Sequence, residues 1–320
     1  DLNDPRVVRP PEAGGLGFDA HWADDLHHAL HVALTGERGG YYGDYAGIED
    51  LARVLGEGYA YAGRYSPSRQ RRHGRLAAAC APCRFVVCAQ NHDQVGNRPR
   101  GDRLSTLVPF EGQKLAAAAV ILSPFLPLLF MGEEYGETAP FPYFTSHGDP
   151  ALVEAVRRGR REEHASLAAT GDLPDPQDPA TFHAAKLRRE LADEEPHRTL
   201  RAFHRAALSL RRELAARQGW LRFDDLRATA DASSEAVVLQ GRGPEGPTAV
   251  LLAFAGEPRE VTLDLPPGRY EKRLDSADAR WHGPGSAVPA VIEARANGRV
   301  SLTLGPRSCV VLALETGAGR

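Results

Sequence analysis

Two apolar runs, each followed by a long polar stretch, constrain this chain more than any other feature. Arg84-Phe-Val-Val-Cys-Ala89 is apolar after Arg84 and partly β-branched, the pattern of a parallel strand buried on both faces. Leu126-Pro-Leu-Leu-Phe-Met131 repeats it, with proline near the start, where a strand tolerates a missing N–H. Upstream, Gly17-Phe-Asp-Ala-His-Trp22 reads as a short strand running into a loop. The next segment, Asp24 to Leu34, puts Leu26, Ala29, Leu30, Ala33 and Leu34 on one face of a helix capped by Asp24 or Asp25. Ile48 to Leu55 and Glu111 to Leu122 are further helices. Strand, loop, helix, strand is the grammar of βα units. The polar stretches Asn91 to Glu111 and Gly132 to Gly148 then stand where a (β/α)8 barrel carries its active site, at the C-terminal strand ends.

After Asp149 come charged amphipathic helices ending near Arg217, interrupted by the exposed, proline-rich connection Gly171 to Pro179. From about Trp220 the pattern changes to strand-length runs: Ala236 to Gln240, Thr248 to Ala255, Glu260 to Leu265, Arg269 to Leu274, Arg299 to Leu304 and Cys309 to Leu314. Turn signals such as Pro266-Pro-Gly268 separate them, which predicts an antiparallel β-sandwich of roughly six to eight strands. The expected fold class is therefore α/β plus all-β. A C-terminal portion of a (β/α)8 barrel with trailing helices occupies residues 1–217, and a β-sandwich occupies 218–320.

Composition narrows the function classes. A net charge of −3, with no basic block longer than Arg69 to Arg72, argues against nucleic acid as a partner. Leu115 to Met131 is nearly long enough to span a bilayer, but Pro124 and Pro127 cut it into helix-length and strand-length parts, so no membrane partner is expected. No secretory leader pattern opens the sequence, and a cytoplasmic location is expected. Four cysteines in a chain this long do not make a disulfide framework. Cys80-Ala-Pro-Cys83 has no second CxxC to complete a zinc site, so no metal is expected.

Asn91-His92-Asp93-Gln94 follows the buried strand directly. A carboxylate, an imidazole and two amides side by side suit a polyhydroxyl ligand. An ionised Asp can also strengthen sugar contacts as positive charge develops at an anomeric carbon. The plainer alternative is a polar strand-end loop with an Asx turn, and local physics leaves both open.

This stretch resembles the last signature of the α-amylase family of retaining glycosidases. Asn91 to Arg98 with Gly101-Asp-Arg-Leu104 resembles the trehalose-releasing branch of that family, the maltooligosyltrehalose trehalohydrolases. Phe18 to Ala29 with Gly39 to Tyr45 is similar to the same branch, and Phe130-Met-Gly-Glu-Glu-Tyr135 is similar to its last barrel strand. The resemblance implies that Asp93 is the transition-state stabiliser and that Asn91, His92, Gln94 and Asn97 belong to the sugar site. It implies that Asp24, Asp25, His27 and His28 line the preceding strand-end loop, with helix capping as a compatible role for the Asp pair. For His27 and His31 the alternatives are a solvated i,i+4 pair or a metal-site imitation. Arg98 and Arg103 would hold loop carboxylates, with Arg98 also at the substrate. Tyr41, Tyr42 and Trp22 would stack on glucose rings, Trp22 having a core alternative. Glu133 and Glu134 would be rim residues, partners of arginine or sugar contacts.

The implied reaction is hydrolysis of the α-1,4 bond next to the terminal trehalosyl unit of maltooligosyltrehalose, with retention and without an organic cofactor. That chemistry needs a nucleophile and an acid/base besides Asp93. Asp1-Leu-Asn-Asp-Pro-Arg6 resembles the segment after the family's acid/base, so both groups are expected upstream, and neither Asp1 nor Asp4 takes their place. The expected partners are the glucan substrate and an N-terminal part of the same enzyme. The rivals are branching or debranching activity within the same family, and a non-catalytic glucan-binding fragment.

Overall fold

The computed structural model describes residues 2–77, 80–165, 173–218, 222–296 and 298–315, with the backbone alone for 215–218. Asp1, Gly171, Asp172 and Trp220, named in the expectations above, lie outside the described residues.

Three strands, β1 (His21–Trp22), a later strand at Phe85–Val87 and another at Leu126–Pro127, form a parallel sheet. Between the first two lie β2 (Arg64–Ser66) and β3 (Arg71–His73), an antiparallel hairpin, so the sheet strands are β4 (Phe85–Val87) and β5 (Leu126–Pro127). The sheet order is β1-β4-β5, with His21 opposite Phe85 and Val86 opposite Leu126. The paired lengths are shorter than the apolar runs suggest, although Ala23 N–H still donates to Val86 O and Leu128 N–H to Val87 O. The run from Phe85 is buried beyond its pairing because helices cover it, whereas the run from Leu126 is less enclosed than expected, with Leu126 and Met131 46% and 44% exposed. Phe85 is fully buried and meets Tyr59, Phe125 and Phe223.

The helices are α1 (Asp25–Thr35), α2 (Ile48–Glu57), α3 (His92–Asn97), α4 (Leu104–Leu107), α5 (Phe110–Ile121), α6 (Pro150–Glu163), α7 (Pro179–Ala184) and α8 (His197–Gln218). Leu26 and Leu30 of α1, Leu51 and Leu55 of α2, Leu115 of α5 and Phe203 of α8 share one core. α1 ends where Gly36 takes φ +73, a left-handed turn in which its N–H returns to Val32 O. Its start corrects an expectation, because neither Asp24 nor Asp25 caps it through a side chain. Among the described residues, no helix is long and apolar enough to cross a membrane.

Eight strands follow: β6 (Leu226–Asp231), β7 (Ala236–Gly243), β8 (Gly246–Ala253), β9 (Arg259–Asp264), β10 (Gly268–Asp275), β11 (Val291–Ala294), β12 (Arg299–Leu304) and β13 (Cys309–Leu314). Six form one antiparallel sheet, ordered β11-β10-β13-β8-β7-β6, and β12 pairs β9 in a second. β9 and β12 alternate cleanly, with Val261, Leu263, Val300 and Leu302 inward and Thr262 and Ser301 outward. β7, β8 and β13 are apolar on both sides because both faces are covered. Val238, Leu251 and Val310 face the second sheet, while Val237, Leu252 and Val311 join the helical core. The two strands that sequence patterning overlooked, β6 and β11, are the edges, where mixed composition is tolerated.

A buried cation ties the two halves together. Lys114 of α5 donates to Ser276 O and Trp281 O at 2.8 Å each, from a fully buried position.

Candidate functional site at the strand ends

The C-terminal end of β4 runs straight into α3, and the sequence there spends its amides on the backbone. Asn91 Oδ1 accepts from Asp93 N–H at 2.8 Å, and Gln94 Oε1 accepts from Asn91 N–H at 3.0 Å. This is a capping box, satisfying donors that a helix start leaves orphaned. Asn91 is 3% exposed, and its Nδ2 points to Cys88 Sγ. Asn91 and Gln94 were expected at the sugar, and their amides are instead engaged with the scaffold.

The box turns the two residues between them outward. His92 and Asp93 have side chains 56% and 60% exposed, with His92 Nε2 3.3 Å from Asp93 Oδ1. Trp22, the last residue of β1, meets the His92 ring edge-on at 6.0 Å and is itself 45% exposed, so it is not a core residue. Asn97 is exposed at the end of the same helix.

The end of β1 is a different environment. Asp25 is 3% exposed and accepts from Asn3 Nδ2, Tyr45 OH, Ala60 N–H and Tyr61 N–H at 2.6–3.0 Å. It fastens three segments together and is closed to a ligand, which corrects its expected role. His27 and His28 are likewise buried. His27 Nδ1 meets Ala89 O at 2.7 Å and Nε2 meets Tyr42 OH at 2.9 Å, and burial pushes the imidazole down to about 3. His28 stacks on Tyr45 at 4.9 Å, with burial holding it well below the usual histidine range. His31 is buried rather than solvated, stacked under Tyr42 at 4.4 Å and bonded to Glu37 at 2.8 Å. A solvated i,i+4 pair and a metal imitation are both ruled out for His27, whose two ring nitrogens are engaged.

Asp24 differs from its neighbour. Its half-buried carboxyl forms no cap bond, and burial raises it above the usual carboxylate range, with the nearby Asp25 and Asp93 charges adding to the effect. Tyr41 is 40% exposed above His28. Asp24, Tyr41, Trp22, His92, Asp93 and Asn97 are therefore the expected site residues that remain accessible.

Arg98 grips Glu37 with two parallel bonds of 2.8 and 2.9 Å, and this partner holds the Glu37 carboxyl down at about 2. That pair locks the loop after α1 to the end of α3, so Arg98 holds a carboxylate as expected but is spent on the scaffold rather than the ligand. Arg103 departs from expectation: its guanidinium donates to Ala139 O and Met131 O and lies over Phe130, holding backbone rather than carboxylate. Glu37 and Tyr45 escaped the sequence reading because their partners sit up to 61 residues away, beyond any local periodicity. Glu133 and Glu134 are both half-buried, with the Oε2 of Glu133 enclosed. Asp4 bonds Arg6 beside it. Cys80 is buried and Cys83 exposed, both free.

No family model matches the chain. Curated relatives do. It is 46% identical over 213 residues to the malto-oligosyltrehalose trehalohydrolase of Saccharolobus solfataricus, covering 67% of this chain and 36% of that protein. It is 42% identical over 292 residues to the enzyme of the same name from Arthrobacter ramosus, covering 90% and 49%. The chain is a homologue of malto-oligosyltrehalose trehalohydrolases. It spans about half or less of the length of these curated relatives. Among solved structures, a provisional α-amylase of Salmonella typhimurium matches at 34% identity and TM-score 0.80, over 98% of this chain and 50% of that one. A pullulanase of Paenibacillus barengoltzii matches at 17% identity and TM-score 0.56, over 95% and 40%, and supports the fold alone.

Proposed function

We propose that this chain forms part of the substrate site of a glycoside hydrolase. The enzyme cleaves the α-1,4 bond adjacent to the terminal trehalosyl unit of maltooligosyltrehalose and releases trehalose. The observation that carries the reading is Asp93, an accessible carboxylate anchored by a capping box at the C-terminal end of a parallel strand. The trehalohydrolase names of the relatives support the substrate class, and their 40–46% identity favours it over debranching, for which the likeness extends to fold only.

In this reading residues 1–217 are a C-terminal portion of a (β/α)8 barrel and 218–320 its β-sandwich. The three parallel strands bring Asp24 and Asp93 to neighbouring strand ends. Asp93 stabilises the positive charge that develops at the anomeric carbon, and His92 hydrogen bonds the same sugar. Trp22 and Tyr41 offer ring faces for glucose, and Asp24 and Asn97 offer polar contacts. A retaining double displacement also needs a nucleophile and an acid/base about 5–5.5 Å apart across the scissile bond. Those two carboxylates come from a segment outside this chain.

Trehalose release from maltooligosyltrehalose, measured on the 320-residue chain and on a form extended to the length of its relatives, tests the reading. The expected result is turnover by the longer form only, lost in Asp93→Asn. Efficient turnover by the 320-residue chain alone would overturn the division of the active site. Glucan chain transfer in place of trehalose release would overturn the substrate assignment.

A further inference from the structure

The loop beyond α1, Gly39-Gly-Tyr-Tyr-Gly-Asp-Tyr45, presents Tyr41, and its composition works against holding that ring still. Gly39, Gly40 and Gly43 lose more backbone freedom on ordering than other residues would, and Gly40 takes φ +57 in the left-handed region. A ring on such a loop binds a ligand well only when the backbone is already fastened, because ordering it on binding costs affinity.

The fastenings surround Tyr41. Tyr42 OH meets His27 Nε2 at 2.9 Å, and Tyr45 OH donates to Asp25 at 2.6 Å, so two tyrosines tie the loop to α1. Tyr41 is the most exposed of the three, with its ring 4.6 Å from that of Tyr42 and 4.8 Å from that of His28. Ahead of it, Glu37 is held by Arg98 at the end of α3. Behind it stands Asp44, with a side chain only 4% exposed against the tip of the β2–β3 hairpin. Its Oδ1 accepts from Ser68 N–H at 3.0 Å. Its Oδ2 accepts from the Ser68 hydroxyl at 2.7 Å and from the hydroxyl of fully buried Ser66. The Arg69 guanidinium lies 3.9 Å from the same oxygen. The Asp44 carbonyl accepts from Tyr61 OH at 2.6 Å.

We propose that Asp44 is a positioning residue for the sugar site, fastening the glycine-rich loop to the hairpin and so fixing the face that Tyr41 offers. Asp44 touches no substrate and acts through the Tyr41 ring. That a glucose unit stacks on this ring rests on the glucan reading above. Such stacking holds ground state and transition state alike, so a loosened loop weakens binding and leaves the chemical step nearly intact.

Substitutions approach the clamp from both sides. Asp44→Ala removes the acceptor, while the double change Ser66→Ala and Ser68→Ala removes both hydroxyl donors and leaves the loop's own residues in place. Asp44→Asn keeps an oxygen for Ser68 N–H and an amide that donates to either hydroxyl, so it should restore most of the clamp. In the form extended to the length of the relatives, Asp44→Ala and the serine pair should each raise KM for maltooligosyltrehalose about fivefold, with kcat within about twofold of wild type. A double-mutant cycle with Tyr41→Ala should be non-additive, Asp44→Ala adding less than about twofold once the ring is gone. Additive effects, or an Asp44→Asn variant no better than Asp44→Ala, would overturn the proposal.

Amide exchange separates the clamp from the glucan reading. The N–H groups of Tyr42 and Tyr45 bond Gly39 O and Tyr42 O within the loop. On the 320-residue chain, the serine pair should speed exchange at both about fivefold, although the changes lie in the hairpin. Unchanged exchange there would overturn the proposal whatever the kinetics show, and this readout stands even where Asp44→Ala fails to fold. Faster exchange in the serine pair, with no maltooligosyltrehalose binding or turnover by the extended wild type, would support the clamp and count against the glucan reading alone.

Discussion

The ends of β1 and β4 carry similar residues and treat them in opposite ways. At β1, Asp25, His27, His28 and His31 turn inward; the polar atoms of Asp25, His27 and His31 meet Asn3, Tyr42, Glu37 and backbone, while His28 is held by the rings of Tyr41 and Tyr45. At β4, Asn91 and Gln94 absorb the orphaned backbone donors, which leaves His92 and Asp93 facing solvent. A cluster of acids and imidazoles at a strand end is therefore no guide by itself to ligand contact. The deciding question is which polar groups the scaffold has already used. Buried polar atoms must find partners or cost free energy, so an engaged residue is held in place by stability as much as by function.

The comparison breaks most visibly at Asp93 and Asp25. Asp93→Asn should reduce trehalose release by the extended form about 10²–10³-fold, the scale of removing one preorganised electrostatic contact. The same change should alter folding stability by less than about 0.5 kcal/mol, as for an exposed side chain. Asp25→Ala should do the reverse in denaturant unfolding, costing about 3 kcal/mol or more because several buried donors lose their acceptor. A stable, well-folded Asp25→Ala that loses sugar binding would reverse the assignment of the two strand ends.

Acid should strike the β1 side first. His27 is held neutral by burial, down to about 3, so the stability it contributes is full above its usual 6.5 and is lost as pH falls towards 3. Glu37, held at about 2 first by Arg98, contributes above its usual 4.5 and loses that as pH falls towards 2. The melting temperature should therefore decline from pH 6.5 downward in wild type, and His27→Gln should flatten the upper part of that decline. An unchanged slope would show that His27 is not what titrates. The smallest expected effect is Asn91→Ala, which should cost about 1 kcal/mol through the lost cap and speed exchange at the Asp93 amide. Full retention of that protection would mean that tertiary packing, rather than the capping box, sets the outward turn.

Much of the architecture was legible because local patterns suffice for it. The helix at 25–35, the strands at 299–304 and 309–314 and the change from mixed to all-β signals follow from periodicity. The edge strands β6 and β11 were not legible, since an edge is half-packed and tolerates mixed composition. The candidate site was legible as a location to the extent that a polar tetrapeptide follows a buried strand and exposes His92 and Asp93 there. The division of labour within it was not. Asn91 and Gln94 read as sugar-binding amides until their bonds to the α3 backbone were known, and Arg103 read as a carboxylate holder until it was found on Ala139 and Met131 carbonyls.

The sequence by itself determined most of the elements, their α/β and all-β grouping, and the stretch around Asp93 as a polar end of a buried strand. Periodicity, turn chemistry and short motifs are local and survive in one dimension. Only the tertiary structure decided which polar residues are free. The partners that consume Asp25, His27 and Arg98 come from segments 15 to 62 residues away, brought close by the packing of α1, the loop carrying Tyr42 and Tyr45, and α3.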